Sequence, residues 1–360
     1  MKHYNIPIFI PHLGCPFKCI FCNQKKIASQ EQTPVEGVVR IVENHLQTIA
    51  DQDARIEVAF FGGNFTAIDE DLQRAYLQAV YPFLKRNEIQ GIRLSTRPDC
   101  IDLKKLDLLA EWGVNTIELG VQSLNDEVLK ASCRGYKAEE VFKACHLIKE
   151  QGFKLGIQLM IGLPGDEHER DMETAGIVVS LQPDMIRIYP TLVIAATHLE
   201  TMYLRGEYQP LSLEEAVAVS KDMYVRFRKA DIDVIRMGLH PAEDLRSEGT
   251  IIAGPFHPSF GELVEQEIFK EQAAEAIKRL FAVYGRQEEI ILFVHPRDLS
   301  KMSGQKRDNI YCLQEYFSLS KVAIKSLDGP ERDWVGAAGV SSALPQELIS
   351  RERWYELLGI

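Results

Sequence analysis

The chain has 360 residues, 46% of them hydrophobic and 26% charged, and 41 Lys and Arg against 52 Asp and Glu give a formal net charge of −11. This composition excludes a disordered or collagen-like chain, and the excess of acid argues against a protein coated in basic charge for non-specific binding to nucleic acid or membranes. No run approaches the ~18 apolar residues of a membrane span, no secretory signal opens the chain, and its seven cysteines do not suit a disulfide framework. We therefore expect a cytoplasmic protein that does not bind membranes.

Short apolar runs alternate with amphipathic stretches of helical period over the first two thirds of the chain. The runs predict strands at Ile6–Ile10, Ile56–Phe61, Ile92–Ser95, Asn115–Gly120, Lys154–Ile161, Met185–Tyr189 and Asp233–Met237. The stretches between them predict helices near residues 34–50, 69–86, 102–112, 137–151, 167–180 and 212–230. This alternation indicates βαβ units and a parallel sheet, and it favours an α/β fold of the partial (β/α)6-type TIM barrel. In such a barrel, functional residues follow the C-terminal ends of the strands.

The pattern changes after Met237. Residues 238–261 are rich in Gly, Pro and His and predict a long loop, and a helix is predicted over residues 262–284. The order predicted after it is a strand (Ile290–Val294), a short helix, a turn at Gly304–Arg307, a helix (Asn309–Phe317) and a strand (Lys321–Ile324). We expect a barrel over residues 1–240, a loop and connecting helix over 241–284, and a small C-terminal α+β module over 285–360.

Three cysteines directly follow the first predicted strand, as Cys15-x3-Cys19-x2-Cys22. Three thiolates at this spacing can bind three corners of a [4Fe–4S] cube and leave the fourth iron without a protein ligand. Thiolates also suit zinc, and the alternative is a zinc site with His12 as the fourth ligand, although zinc sites more often use paired Cys-x2-Cys spacings. The cluster prediction requires the three sulfurs to face a common point.

This motif, with an aromatic Phe21 before the third cysteine, resembles the signature of the radical S-adenosylmethionine (SAM) enzymes. The resemblance implies that the open iron binds SAM and that SAM is cleaved reductively to a 5′-deoxyadenosyl radical, with a reductant such as flavodoxin or ferredoxin as partner. The cofactors would carry the difficult chemistry, and the protein would orient them.

Glycine and polar residues follow the later predicted strands. Phe61-Gly62-Gly63-Asn64 lies where the family carries Gly-Gly-Glu, and a tight turn that needs glycine is the structural alternative. Gln158 is a polar residue within an apolar strand, so it is either a ligand contact or a satisfied core amide. The cofactor contacts that the resemblance implies are Gly62, Gly63, Asn64, Ser95, Arg97, Gln122, Arg134, Gln158 and Met160, with Arg134 placed to pair with the SAM carboxylate. Tyr189, which is equally a core aromatic, and Cys100 are the candidates for a catalytic role.

Over about residues 6–235 the chain resembles the catalytic subunit of the Elongator complex, which modifies the wobble uridine of transfer RNA, and more distantly the oxygen-independent coproporphyrinogen dehydrogenases. The motifs that carry this are Thr96–Cys100, Glu118–Ser123, Gly162–Gly165 and Ile188–Ile194. Only 14 residues precede Cys15, so we do not expect the family's basic N-terminal extension, and Ala195 and Ala196 stand where the family usually carries Arg-Gly. The segment after residue 240 is too short for an acetyltransferase domain, which argues against the use of acetyl-CoA.

The segment from Val294 to Ile310 predicts half of a KH domain, whose GxxG-type loop binds a nucleic-acid backbone. Between Arg297 and Arg307 it carries four basic residues and one Asp. The candidate RNA contacts are Lys301, Gly304, Lys306 and Arg307, and the alternative is a solvated basic turn.

The sequence thus predicts a radical SAM enzyme that acts on RNA, as in transfer-RNA modification. One alternative is the same chemistry on a small molecule such as a tetrapyrrole. An alternative of another class is a non-catalytic RNA-binding protein with a structural cluster or zinc. His240 and His257 are possible substrate contacts, although surface loop histidines are the commoner outcome.

Overall fold

A computed structural model describes residues 2–10, 13–15, 18–23, 32–51, 53–239, 245, 247, 249–329 and 331–358. His12 and His240 lie outside the described residues. The chain divides into two compact units, the first with residues 1–216 and 230–258 and the second with residues 217–229 and 259–360. In the described part of the chain, no helix has the length and apolar character needed to cross a membrane.

The first unit is built on a parallel sheet. Its strands are β1 (His3–Phe9), β2 (Arg55–Phe61), β3 (Gly91–Thr96), β4 (Val114–Gln122), β5 (Lys154–Ile161), β6 (Met185–Pro190), β7 (Val193–Ile194), β8 (Asp233–Met237) and β9 (Ile251–Ala253). Seven of them form one sheet in the order β1-β2-β3-β4-β5-β6-β8, and every neighbouring pair is parallel. β7 and β9 form a separate antiparallel pair. The predicted α/β partial TIM barrel is confirmed.

Helices follow the strands of this sheet. They are α1 (Val35–Thr48), α2 (Glu70–Lys85), α3 (Leu103–Glu111), α4 (Asp126–Ala131), α5 (Ala138–Glu150), α6 (His168–Leu181), α7 (His198–Leu204) and α8 (Leu213–Lys229). Asp69 accepts hydrogen bonds from the backbone N–H of Asp71 and Leu72, and so caps α2. Prediction missed the short elements α4, α7, β7 and β9, because they contain too few residues to show a period.

The second unit contains a sheet of four strands, β10 (Glu289–Val294), β11 (Lys321–Ser326), β12 (Trp334–Gly339) and β13 (Glu347–Ser350), in the order β11-β10-β12-β13. The β10 strand is parallel to β11 and antiparallel to β12, and β12 is antiparallel to β13. Its further helices are α9 (Phe260–Tyr284), α10 (Leu299–Ser303), α11 (Asp308–Phe317) and α12 (Arg351–Leu357). The strand, helix, turn, helix and strand predicted over residues 290–324 are all present. The sequence did not predict β12, β13 or α12, because a segment such as Trp334-Val-Gly-Ala-Ala-Gly has few of the residues that favour strands.

The boundary between the units differs from the predicted one. Residues 241–284 do not form a separate connector: residues up to 258 belong to the first unit, and α9 belongs to the second. The reason is packing, because α9 buries apolar side chains such as Val264 and Ile268 and lies against β12 and β13. All of α8 after its first four residues, 217–229, also belongs to the second unit.

Candidate functional site in the barrel

The inner face of the seven-stranded sheet is polar and partly exposed. Along β6, Ile186 is fully buried whereas Arg187 and Tyr189 are partly exposed, and on β5 Gln158 and Met160 are likewise partly exposed between buried neighbours. Parallel sheets are normally buried on both faces. The exposure of alternate residues therefore indicates that the inner face lines open space, where barrels bind their ligands.

A row of charged side chains crosses this inner face from β2 to β6. Arg93 donates from Nε to Glu57 Oε2 at 2.7 Å and from Nη1 to Glu118 Oε1 at 2.8 Å. Glu118 also accepts from Arg187 Nε at 2.6 Å, and the Arg187 guanidinium lies 5.6 Å from the centre of the Phe61 ring on β2. Both carboxylates are 1% exposed. Acid and base alternate along the row, so each of these buried charges has a partner of opposite sign.

The arginines keep both carboxylates ionised. Burial alone would raise the pKa of Glu57, but hydrogen bonds from His3 and Arg93 and the charge of Arg93 lower that pKa to about 2. Burial would likewise raise the pKa of Glu118. The charges of Arg187 and Arg93 and the hydrogen bonds from Arg187 and Gln158 nevertheless hold that pKa below the ordinary value. Gly156 makes room for this carboxylate, since a Cβ there would lie 2.8 Å from Glu118 Cγ.

The cysteine loop follows β1. Cys15 is exposed, whereas Cys19 and Cys22 are half-buried. Arg134 Nη1 donates to Cys19 Sγ at 3.0 Å, and Arg97 Nη1 lies 3.9 Å from the same sulfur. Two guanidinium groups therefore lie beside the Cys19 sulfur.

Among the described residues, no group of three or more His, Cys, Asp or Glu side chains is arranged to hold a metal ion. The three sulfurs are therefore not preassembled as a metal site, and their assignment as cluster ligands stays a prediction. Burial and the nearby Cys19 raise the pKa of the Cys15 thiol, while the charges of Arg97 and Arg134 act against that rise. The donors themselves fit an iron–sulfur cluster, because they are soft sulfur atoms on one loop with cationic neighbours.

Arg134 is held rigidly at this loop. Its side chain is 5% exposed, and its Nε and Nη2 lie 3.1 and 2.9 Å from the hydroxyl of Tyr136. A further hydrogen bond joins Nη2 to the backbone carbonyl of Gly120. The predicted partner of Arg134 was the SAM carboxylate, and the structure shows the guanidinium hydrogen-bonded to Cys19 and to backbone and phenol oxygens.

The loop after β2 packs closely against the cysteine loop. Gly63 must lack a side chain, since a Cβ would clash with the carbonyl oxygen of Ile10, and a Cβ on Gly14 would clash with the carbonyl of Asn64. Gly62 has a φ of +90°, which favours glycine. Gly63 is thus also required by the packing of the two loops, and Gly62 by its backbone conformation.

Asn64 joins three loops at the strand ends. It is fully buried, and its Nδ2 donates to the carbonyl of Gly14 at 3.1 Å and to Cys100 Sγ at 3.0 Å. Its Oδ1 accepts from the Arg97 backbone N–H at 3.2 Å and from the Thr96 hydroxyl. The Asn64 amide is therefore satisfied by the protein, and it positions the cysteine loop beside Cys100, which is itself buried.

Gln122 lies at the end of β4 in a strained conformation. Its φ is +71°, the β4–β5 register shifts between Gly120 and Gln122, and its Oε1 is buried without a hydrogen-bond donor in the described part of the chain. An orphaned buried oxygen costs about 1–3 kcal/mol, and strain of this kind concentrates at ligand sites. Gln122 therefore fits a position at which a bound molecule supplies the missing donor.

The remaining predicted contacts of the barrel share the inner face. Gln158 Nε2 donates to Ser95 Oγ at 3.3 Å and to Glu118 Oε2 at 3.1 Å. Met160 and Tyr189 are register partners on β5 and β6. Glu57, Arg93 and Arg187 are not among the predicted site residues, although each is a charged residue between apolar neighbours in a strand, a signal that could have found them.

The candidate RNA contacts of the second unit are only partly brought together. Lys306 and Arg307 are exposed next to each other, with φ angles of +50° and +68°, and Gly304 turns the chain before them with a φ of +73°. Lys301 instead packs on α9, with its Nζ 3.5 Å from Glu265 and 5.9 Å from the centre of the Phe269 ring. Lys301 is therefore held by an acid, whereas Lys306 and Arg307 are exposed to solvent.

Fold and site together define an α/β partial-barrel enzyme with a cysteine loop after its first strand. Residues 9–178 match the family model of the radical SAM superfamily, and residues 183–270 match that of the radical SAM C-terminal domain. An uncharacterized protein of Methanocaldococcus jannaschii is 32% identical over 236 residues, which cover 61% of this chain and 71% of that protein. The chain belongs to the radical SAM superfamily.

The Elongator-like resemblance is also confirmed. A tRNA uridine(34) acetyltransferase of Methanocaldococcus infernus is 29% identical over 245 residues, which cover 57% of this chain and 46% of that protein. The solved structure of an N-terminally truncated Elp3 from the same archaeon superposes with a TM-score of 0.60 at 25% identity, over 75% of this chain and 63% of that one. The chain thus spans about half the length of the acetyltransferase.

Proposed function

We propose that Cys15, Cys19 and Cys22 hold a [4Fe–4S] cluster, that SAM binds at the inner face of the barrel, and that the enzyme modifies RNA. When bound, the cluster and SAM would supply a 5′-deoxyadenosyl radical that abstracts hydrogen from the substrate. The observation that carries the proposal is the short contact between Arg134 and Cys19 at the edge of an open, polar inner face.

The chain's own residues have distinct roles in this proposal. Arg134 and Arg97 contact the sulfur of Cys19, and Asn64 fixes the loop that carries it. Gln122 offers an unused acceptor to the bound cofactor. Glu118 holds the amide of Gln158 in place on the inner face.

Tyr189 and Cys100 remain the candidates for a role in the reaction. Burial raises the pKa of both groups, so each is protonated at neutral pH and could give up a hydrogen atom or a proton. Flavodoxin or ferredoxin is the proposed source of the electron.

RNA as the substrate is supported by two independent points. Relatives of similar sequence are tRNA uridine(34) acetyltransferases, and the second unit exposes Lys306 and Arg307 side by side. Paired exposed cations of this kind neutralise backbone phosphates.

The cluster is tested with Cys19→Ala and with Cys312→Ala as the matched control, because Cys312 lies on α11 in the second unit. After anaerobic reconstitution with iron and sulfide, we expect wild type and the control to bind iron and to form 5′-deoxyadenosine from SAM on reduction with dithionite. Cys19→Ala should lose both. Wild-type protein that is colourless and binds only zinc would refute the proposal.

The RNA substrate is tested by reversing charge at the exposed turn. Lys306→Glu with Arg307→Glu should weaken transfer-RNA binding and lower the slope of its salt dependence by about two. Lys321→Glu with Lys325→Glu reverses the same charge at exposed positions on β11 and should have a smaller effect. Equal effects of the two double variants would remove this turn from the RNA site, and comparison of modified nucleosides between a deletion strain and its parent would identify the product.

A further inference from the structure

Two arginines lie side by side on neighbouring strands of the barrel. Arg187 on β6 and Arg236 on β8 are register partners, directly after a register shift between Ile186 and Arg187. Arg187 faces inward, because it contacts Glu118 on β4 and the ring of Phe61 on β2. Arg236 is paired with Arg187 at the last strand of the sheet, and it lies close enough to the inner-face Tyr189 for its charge to act on that phenol, which places it on the same face.

The two guanidinium groups differ in how their charge is balanced. Arg187 is paired with Glu118. In the part of the chain that the structure describes, Arg236 forms no ion pair with a carboxylate, and its side chain is partly exposed. Among the described residues, Arg93, Arg187 and Arg236, together with Arg55, which also pairs with Glu57, give four guanidinium groups against the two carboxylates Glu57 and Glu118.

This surplus of positive charge is unusual for its setting. The whole chain has a net charge of −11, and like charges directly opposite on neighbouring strands are destabilising. Tyr189 follows Arg187 by two residues on the same strand. Burial raises the pKa of its phenol, and the charges of Arg187 and Arg236 act against that rise. An anion bound beside Tyr189 would balance the row.

We propose that Arg236 binds a phosphate group of the substrate RNA, next to Tyr189 on the inner face of the barrel. This inference rests on the proposed function. An enzyme that reacts with a base takes the nucleotide out of its stack, and the nucleotide then carries its phosphate into the site. The planar guanidinium of arginine matches two phosphate oxygens, and a tyrosine ring provides a surface on which a base stacks.

The test compares wild type, Arg236→Gln and Arg236→Lys, with Arg205→Gln as the control. Arg205 is exposed at the end of α7, so its replacement removes the same charge from the same unit away from the inner face. The probes are an unmodified anticodon stem-loop transcript, uridine 5′-monophosphate, uridine and inorganic phosphate. Binding is measured over a salt series with the full chain.

Arg236→Gln should weaken binding of the stem-loop and of uridine 5′-monophosphate by about tenfold or more, the loss of one charge-assisted contact. Binding of uridine should not change, and the salt slope for the stem-loop should fall by about one. Arg236→Lys should keep the salt slope and lose part of the affinity, since it keeps the charge without the planar pair of donors. Arg205→Gln should behave as wild type.

Two results would overturn the proposal. Unchanged stem-loop affinity and salt slope in Arg236→Gln would show that no phosphate is bound there, and equal losses for uridine and its monophosphate would show that Arg236 acts only on the fold. Should wild type bind inorganic phosphate through Arg236 but not bind the stem-loop, the anion would come from a small molecule, which refutes both RNA assignments while cluster assembly and SAM cleavage stay intact. If Arg236→Gln does not fold, Arg236→Lys decides between these results.

Discussion

The barrel sheet carries buried charged side chains, whereas the core of the four-stranded sheet in the second unit is apolar. In the second unit, β12 is wholly buried and the core formed by Ile291, Phe293, Trp334 and Ala338 is apolar. In the barrel, Glu57, Arg93 and Glu118 are buried in the middle of the strands. A buried ion pair seldom stabilises a fold more than apolar packing would, so charge retained in the middle of a sheet indicates a function there.

The largest effect expected from this difference comes from Glu118→Gln. The substitution leaves the buried Arg93 and the partly exposed Arg187 with one fewer anion, and it should lower the free energy of unfolding of the barrel by about 3–5 kcal/mol. Phe293→Ala in the second unit should cost a similar amount through its cavity alone. Hydrogen exchange of β4 and β12 amides reports the two units separately. A loss below about 1 kcal/mol in Glu118→Gln would show that the row contributes little to stability.

Acid should affect the barrel through Glu57. Its pKa of about 2 in the folded chain is below the ordinary value of about 4.3, so its contribution is fully present above pH ~5 and is lost as the pH falls toward 2. This contribution is about 2–3 kcal/mol. Glu57→Gln should lower the free energy of unfolding at pH 6 and flatten its acid dependence in urea unfolding. An acid dependence equal to that of wild type would contradict the assignment.

The stability contribution of the barrel acids Asp166 and Asp171 should depend on pH in the opposite direction to that of Glu57. Asp171 is 4% exposed, and its burial and the neighbouring Asp166 raise the pKa of its carboxyl well above the usual range. A raised acid pKa stabilises the fold at low pH, and this stability is lost as the pH rises toward the folded value. Asp171→Asn should therefore be more stable than wild type by about 1–2 kcal/mol at pH 8, and this advantage should be smaller at pH 5. An advantage that is independent of pH would indicate that the two carboxyls do not share a proton.

The smallest effect is expected at the exposed turn of the second unit. Lys306 has a left-handed backbone that costs a side-chain-bearing residue about 1–2 kcal/mol. Lys306→Gly should recover about 0.5–1 kcal/mol in urea unfolding, after the entropy of the glycine is allowed for. It should also weaken RNA binding under the proposed function. Reduced stability would show that the turn is stabilised by contacts of the lysine side chain.

Much of the fold could be predicted because its signals are local. The strands Lys154–Ile161 and Asp233–Met237 begin and end where the apolar runs do. The cysteine loop could also be predicted, since its three residues lie within eight positions. Lys301 illustrates the limit: its charge is visible in the sequence, but its pairing with Glu265 on another helix is not.

The sequence by itself determined the seven strands of the parallel sheet, the long helices between them and the three thiols after the first strand, because each depends on residues close together in the chain. Only the tertiary structure decided which charges meet. Arg93 reaches Glu57 and Glu118, 36 and 25 positions away, and Arg187 reaches Glu118 across 69 positions. These pairs depend on strand register and on the face from which each side chain projects, and both are set when the sheet packs.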